Sequence, residues 1–157
     1  MAATLCAVAS SSLSAQGPDA GEGIRFGVSL GGISTVALTV EPFWDSRSVE
    51  ISLGTWSFRD ASVSVVGKQY LGAGAAKPVV GAGLWVVGSA SDEGRTGWAL
   101  VLRVPIGLDW AMADHHALGA FLNVNRGLWV RRSDPSDDIP LNRRLVPLPE
   151  IYYRYRR

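Results

Sequence analysis

From Trp98 to Trp110 the chain reads WALVLRVPIGLDW, and every even position is apolar: Trp98, Leu100, Leu102, Val104, Ile106, Leu108 and Trp110. The odd positions, Ala99, Val101, Arg103, Pro105, Gly107 and Asp109, are mostly small or charged. Successive side chains of a strand point to opposite faces, so this alternation predicts a long strand with one wholly apolar face. The two Trp residues share that face, twelve residues apart. At ~3.3 Å per residue and a tilt of ~45°, their separation projects to roughly 28 Å, about the thickness of a bilayer's hydrocarbon core. An apolar face with an aromatic at each end has the form of a membrane-spanning β-strand.

The same two-residue period recurs along the chain. The first strand, Ile24 to Leu30, sets Ile24, Phe26, Val28 and Leu30 against Arg25, Gly27 and Ser29. The second, Thr35 to Phe43, sets Val36, Leu38 and Val40 against Thr35, Thr39 and Glu41. The third, Val49 to Trp56, sets Val49, Ile51 and Leu53 against Glu50, Ser52 and Gly54. The fourth, Ala61 to Tyr70, sets Val63 and Val65 against Ser62, Ser64 and Lys68. The fifth, Pro78 to Val87, is apolar on both faces and leaves its orientation open. The seventh, His116 to Asn125, sets Leu118, Ala120, Leu122 and Val124 against Ala117, Gly119, Asn123 and Asn125. The eighth, Glu150 to Arg156, sets Ile151, Tyr153 and Tyr155 against Glu150, Tyr152, Arg154 and Arg156. Turn residues separate these runs at 31–34, 45–48, 88–97, 112–115 and 131–144. Eight short strands with no amphipathic helix and no internal repeat predict an all-β fold, a closed antiparallel barrel or a sandwich.

Alternation fits two opposite objects, a soluble barrel with its apolar face inward or a membrane barrel with that face outward. On the oriented strands the polar face carries Arg25, Glu41, Glu50, Lys68, Arg103, Asp109, Glu150, Arg154 and Arg156, and the apolar face carries no charge apart from the irregular Arg126. The near balance of sign suits an enclosed ion-pair network, because an unpaired buried charge is costly. The polar face is otherwise padded by Gly27, Ser29, Ser52, Gly54, Ala99, Gly107, Ala117 and Gly119. An eight-stranded barrel is just wide enough for its own side chains, so small residues beside a few long charged ones fit its interior. The row of large side chains from Trp98 to Trp110 would overfill it. These features favour an up-and-down barrel with its apolar face toward lipid, Trp98, Trp110, Tyr153 and Tyr155 at the bilayer interfaces, and Arg25, Glu41, Glu50, Lys68, Arg103, Asp109, Glu150 and Arg154 in an interior charge network. Arg126 follows Val124 on the apolar parity; either it snorkels at an interface or Gly127 marks a bulge that resets the register.

Composition agrees with that picture. Glycine, at 18 of 157 residues, is roughly 11% against an average near 7%, and charged residues make up 18% against the usual ~25%. The net charge of +1 offers no bulk attraction for nucleic acid, which is not an expected partner. The lone Cys6 cannot form an internal disulfide, and Leu5 stands where a lipobox carries a small residue. Residues 1–15 resemble a secretory signal without its basic n-region, with Ser12 and Ser14 suiting cleavage after Ser14; the alternative is a Ser-rich disordered tail. The expected start codon lies upstream, and residues 16–157 are expected to form one barrel domain.

From Ile24 to Arg157 the chain resembles the small eight-stranded outer-membrane barrels of Gram-negative bacteria, the OmpA/OmpX-type, porin-like family. Ile151, Tyr153 and Tyr155 supply the alternation of that family's closing strand, although Arg156-Arg157 follow where the family ends in an aromatic. The resemblance implies an outer-membrane location, the lipid bilayer as partner, and short turns on the periplasmic side. It also implies a structural role, or binding of an envelope or extracellular partner through loops 88–97 and 131–144. The alternatives are a periplasmic or secreted lipocalin-like barrel holding an apolar ligand, and a lipid-modifying barrel enzyme.

Candidate chemistry is sparse. His115 and His116 are adjacent, so a regular strand would point them to opposite faces and prevent joint chelation of a metal. A lipid-modifying enzyme needs its catalytic residues near the outer leaflet, where this topology places no histidine. Asp134, Asp137 and Asp138 lack the glycine and closing glutamate of an EF-hand. Residues 72–77 lack the spacing of a phosphate loop. No catalytic residue, metal site or cofactor is expected, and the chain is read as a non-enzyme.

Overall fold

The computed structural model describes residues 21–90, 95–134, 136, 141 and 144–157. The expected leader and Cys6 lie outside the described residues. The elements are β1 (Glu22–Gly31), β2 (Ser34–Trp44), β3 (Arg47–Thr55), β4 (Asp60–Tyr70), β5 (Ala76–Ala90), β6 (Thr96–Ala113), β7 (His116–Arg131) and β8 (Val146–Arg156). Each strand pairs antiparallel with its sequence neighbour, and β8 returns to β1, so the sheet closes into an eight-stranded barrel rather than a sandwich. Closure leaves no strand edge exposed.

The register fixes the barrel's shape. Ladder partners lead from Glu22 through Trp44, Arg47, Gln69, Val80, Ile106, Leu122 and Pro149. The circuit re-enters the line of β1 at Gly32, ten residues on, where the Gly32 N–H donates to the Pro149 carbonyl at 2.7 Å. Ten residues at ~3.3 Å over eight spacings of ~4.8 Å give a strand tilt of about 41°. Along the barrel axis Trp98 and Trp110 are then about 30 Å apart.

The apolar face points outward. Leu38, Ile106 and Ile151 are 64%, 50% and 63% exposed, while Arg103 and Glu41 on the other face are completely buried. This arrangement is opposite to that of a soluble barrel enclosing an apolar ligand. Gly27 and Gly119 show why small residues line the interior. A Cβ on Gly27 would lie 2.7 Å from Thr39 Oγ1 and 2.9 Å from Arg154 Cγ, and one on Gly119 would strike the Tyr152 ring. Their absent side chains leave the room that Arg154 and Tyr152 fill.

Several boundaries differ from the sequence expectation. β5 continues to Ala90 and β6 begins at Thr96, through the pairs Gly88↔Trp98, Ser89↔Gly97 and Ala90↔Thr96. These small residues carry no hydropathy alternation, so the ladder there is invisible in the sequence. β7 runs on to Arg131 because the register shifts by one residue near Leu100, leaving Leu128 without a ladder partner between Gly127↔Val101 and Trp129↔Leu100. Leu128 and Trp129 are both exposed, and the alternation breaks there. The bulge follows Arg126 and does not turn it inward: Arg126 pairs with Leu102 and is exposed.

β1 and β2 each run slightly beyond the expected Ile24–Leu30 and Thr35–Phe43, to Glu22–Gly31 and Ser34–Trp44. Gly31 and Gly32, at φ 80° and 68°, turn the chain sharply, and Ile33 folds inward to 2% exposure. A register shift at the same place buries Ser34 beside Ser62 Oγ at 2.9 Å and exposes Thr35, which the sequence placed on the inner face. The rim is therefore low at β1–β2 and tall along β5, β6 and β7, which have 15, 18 and 16 residues.

The β3–β4 connection is held by one carboxylate. Asp60 accepts the Trp56 N–H at 3.0 Å and the Ser57 N–H at 2.9 Å, while Phe58 adopts φ 60° with its N–H on Thr55 Oγ1 at 2.9 Å. Burial pushes the Asp60 carboxyl up, but hydrogen bonds from the Ser57 and Trp56 backbone and the Ser57 and Thr55 hydroxyls outweigh it and hold the group below the ordinary carboxylate range.

Candidate functional site

The lower and middle barrel interior is filled by charge. Arg25, Glu41, Glu50, Lys68, Arg103, Asp109, Glu150 and Arg154 are all buried, and they are the fully buried charged residues among the described ones. Four are basic and four acidic, so the enclosed formal charge sums to zero. Each arrives from an inward position of a different part of the wall, which explains how residues up to 104 apart in sequence meet.

Glu50 is the hub. Its carboxylate accepts Lys68 Nζ, lies 2.6 Å from Arg154 Nη2 and 3.3 Å from Arg103 Nη1, and takes a further bond from Ser52 Oγ at 3.2 Å. Arg103 continues upward: Nη2 meets Glu150 at 2.7 Å, Nε donates to Asn123 Oδ1 at 2.7 Å, and Nη1 donates to Ser64 Oγ at 3.1 Å. Asn123 Nδ2 closes this group on Glu150 at 2.6 Å. Arg154 continues downward. Its Nη1 lies 2.7 Å from Glu41 Oε2, an ion contact without hydrogen-bond alignment, and donates to the Tyr70 hydroxyl at 2.8 Å. Glu41 accepts the Ser48 and Tyr70 hydroxyls, and Asp109 accepts the Tyr152 hydroxyl. Arg25 reaches Glu41 at 3.8 Å.

Aromatic rings complete the packing. Phe121 and Tyr152 stack with centroids 4.8 Å apart, Arg154 lies over the Tyr152 ring at 3.8 Å, and Lys68 over Phe121 at 4.5 Å. Arg25 covers Phe43 at 4.3 Å. A cation over a ring face is attracted by its quadrupole, more strongly when both are desolvated. These rings and Asn123 belong to the site, although the sequence reading did not name them as members. Parity was the signal available for Asn123 and Tyr152. Phe121 resembles a lipid-facing aromatic in every respect except its odd position.

The remaining candidates lie elsewhere. Trp98, Trp110, Tyr153 and Tyr155 sit on the outer face, 45%, 56%, 41% and 43% exposed. Trp110 and Tyr155 are near the short-turn end, and Trp98 is near the opposite rim. His116 Nδ1 is 2.6 Å from the Tyr153 hydroxyl, and His115 stands beside Tyr155 with ring centroids 6.0 Å apart. Among the described residues, no three His, Cys, Asp or Glu side chains gather as a metal site. Asp134 is held below the ordinary carboxylate range by the hydroxyl and N–H of Ser136, at 2.7 and 2.9 Å. Asp137 and Asp138 lie outside the described residues.

An all-β closed barrel of eight antiparallel strands, with its apolar side chains outside and a filled polar interior, is the fold of the small OmpA-type outer-membrane barrels. Within that class, the structure is similar to the crystal structure of the N-terminal β-barrel domain of Pseudomonas aeruginosa OprF. The TM-score is 0.62 at 12% sequence identity, covering 87% of this chain and 96% of that domain. At this identity the likeness is one of fold. No protein-family model and no curated protein matches the sequence.

Proposed function

We propose that this chain is a transmembrane protein of the bacterial outer membrane, non-enzymatic, serving as a structural element or binding a partner through its long loops. The carrying observation is the distribution of charge across the wall. On the outer face the charged side chains of β1–β8 lie toward the ends: Glu22 and Arg47 by the short turns, Arg126 and Arg131 toward the opposite rim. Between them runs a belt that includes Leu38, Ile51, Val65, Ile106, Leu122 and Ile151, all at least 43% exposed. A soluble monomer rarely leaves so continuous an apolar surface in water. Trp44, Trp110, Tyr153 and Tyr155 on one side, and Trp56, Trp98 and Trp129 on the other, are placed to act as interfacial girdles.

The interior network supports a structural role over a large-porin role. Ion-paired side chains and stacked rings fill the lumen at the level of Glu50 and Tyr152, so we expect poor conductance in a planar bilayer. The β5–β6 and β7–β8 connections, which lie within 88–97 and 131–144, are the proposed sites for an envelope or extracellular partner. The test is membrane fractionation with detergent extraction and gel mobility before and after heating. The expected result is a detergent-extracted band whose mobility changes on boiling. A monomer that stays soluble without detergent would contradict the proposal.

A further inference from the structure

We infer that a groove on the outer wall, floored by Gly67 and headed by Arg47, holds one glycerophospholipid, its phosphate on Arg47 and one acyl chain across Gly67. The inference rests on the membrane reading above. The groove has a volume of about 450 Å³ and is lined by Trp44, Arg47, Val49, Gly67, Gln69 and Val80. It lies near the short-turn end of the barrel, where Trp44 pairs with Arg47 and Arg47 with Gln69. Above them Gly67 pairs with Val49 on one side and Ala82 on the other. Two neighbouring outward positions, 67 and 82, therefore carry almost no side chain, and the wall is indented there.

Gly67 has no packing reason to be glycine. Gly27 and Gly81 leave no room for a side chain: a Cβ at Gly81 would come within 2.7 Å of the Gly67 carbonyl. At Gly67 an added Cβ meets nothing closer than the Ala82 carbonyl oxygen at 3.9 Å, and its φ is not in the left-handed region. Glycine weakens a strand interior and is found there where something else approaches closely. The approaching body must be apolar along the floor, because Val49 and Val80 flank it, and anionic at the short-turn end. Arg47 there is exposed and has no hydrogen-bond or ion-pair partner among the described residues. Trp44 beside it suits the glycerol and ester level of a lipid. A phospholipid of the leaflet on the short-turn side has this order of charge, ester and chain.

The experiment is native mass spectrometry of the full barrel released from detergent, titrated with dimyristoyl phosphatidylglycerol. Gly67→Leu fills the floor and Arg47→Gln removes the charge; Ala120→Leu, outward on β7, serves as the control. Heat-modifiable mobility reports folding of each variant. One retained lipid is expected on the wild type and on Ala120→Leu, with apparent affinity about tenfold weaker for Arg47→Gln, the scale of one charge-assisted hydrogen bond, and weaker than wild type for Gly67→Leu. Retention by either folded variant equal to that of the wild type overturns the inference. So does a dimer peak that Gly67→Leu abolishes, which would give the groove to a second copy of the chain. Failure to enter vesicles overturns the membrane reading and this inference with it; entry with unchanged lipid retention overturns this inference alone.

Discussion

Arg103 and Glu150 meet at 2.7 Å inside the barrel, although they come from β6 and β8, which are separated in the wall by β7. The pair therefore ties non-adjacent strands across the lumen, a link that backbone ladders cannot provide. Both side chains are buried, and Asn123 from the intervening strand bonds to each of them.

Breaking such a pair from one side strands the other charge. Arg103→Met or Glu150→Leu alone should each destabilise the folded barrel by about 3–5 kcal/mol. The double variant should cost less than the sum of the two, by roughly 0.5–3 kcal/mol. Equilibrium urea unfolding in lipid vesicles measures all three. Strictly additive losses would show that the two groups do not act together.

The interior tolerates no extra volume beneath Arg154. Gly27→Val should cost about 1–3 kcal/mol, because Thr39 and Arg154 must move aside. The same unfolding measurement applies, and wild-type stability in this variant would mean that the lumen is looser than the packing around Gly27 indicates.

How legible the molecule was in its sequence depended on what each strand faces. β6 was plain because its two faces meet opposite environments, and Arg103 and Asp109 marked the inner one. β5 was silent over Pro78–Val87: its inward residues there are Val79, Gly81, Gly83, Trp85 and Val87, none of them charged, so no alternation survives. The upper end of β7 was hidden by the bulge at Leu128, where one unpaired residue reverses the parity of everything beyond it. The charged members of the interior site followed from parity alone. Their partners did not, because which cation covers which ring depends on strand register and shear, and these are set by long-range closure. The inward fold of Ile33 was equally unreadable, since an apolar residue in a Gly-rich turn has no periodic neighbours to orient it.

The β3–β4 loop should respond to acid through Asp60. Its folded carboxyl is held below the usual range, so the stabilisation is full above the unfolded value, about pH 4, and fades as pH falls through the lower folded value. Hydrogen-exchange protection at the Trp56 and Ser57 amides, referred to the intrinsic exchange rate at each pH, should be high and level above that window and fall below it. Asp60→Ala should exchange fast at every pH. Protection unaffected by this substitution would show that other contacts hold the loop.

A charge placed in the middle of the outer belt should oppose membrane folding. Ile106→Arg, half-exposed and between the two tryptophan levels, should lose about 2–4 kcal/mol of folding stability in bilayers. The same substitution at Trp98, close to the rim, should lose about 1 kcal/mol or less. Equal effects at the two positions would mean that the outer face does not sample a gradient of depth.

The most direct measurement is depth-resolved fluorescence quenching in vesicles whose lipids carry bromine at known positions along the chain. Three single-tryptophan proteins suffice, one keeping Trp98, one keeping Trp110, and one with Ile106→Trp in a background without other tryptophans. Trp98 and Trp110 should be quenched most strongly by bromine near the ester groups, and Ile106→Trp by bromine near the chain ends. Three tryptophans untouched by brominated lipid and quenched instead by aqueous iodide would contradict this placement.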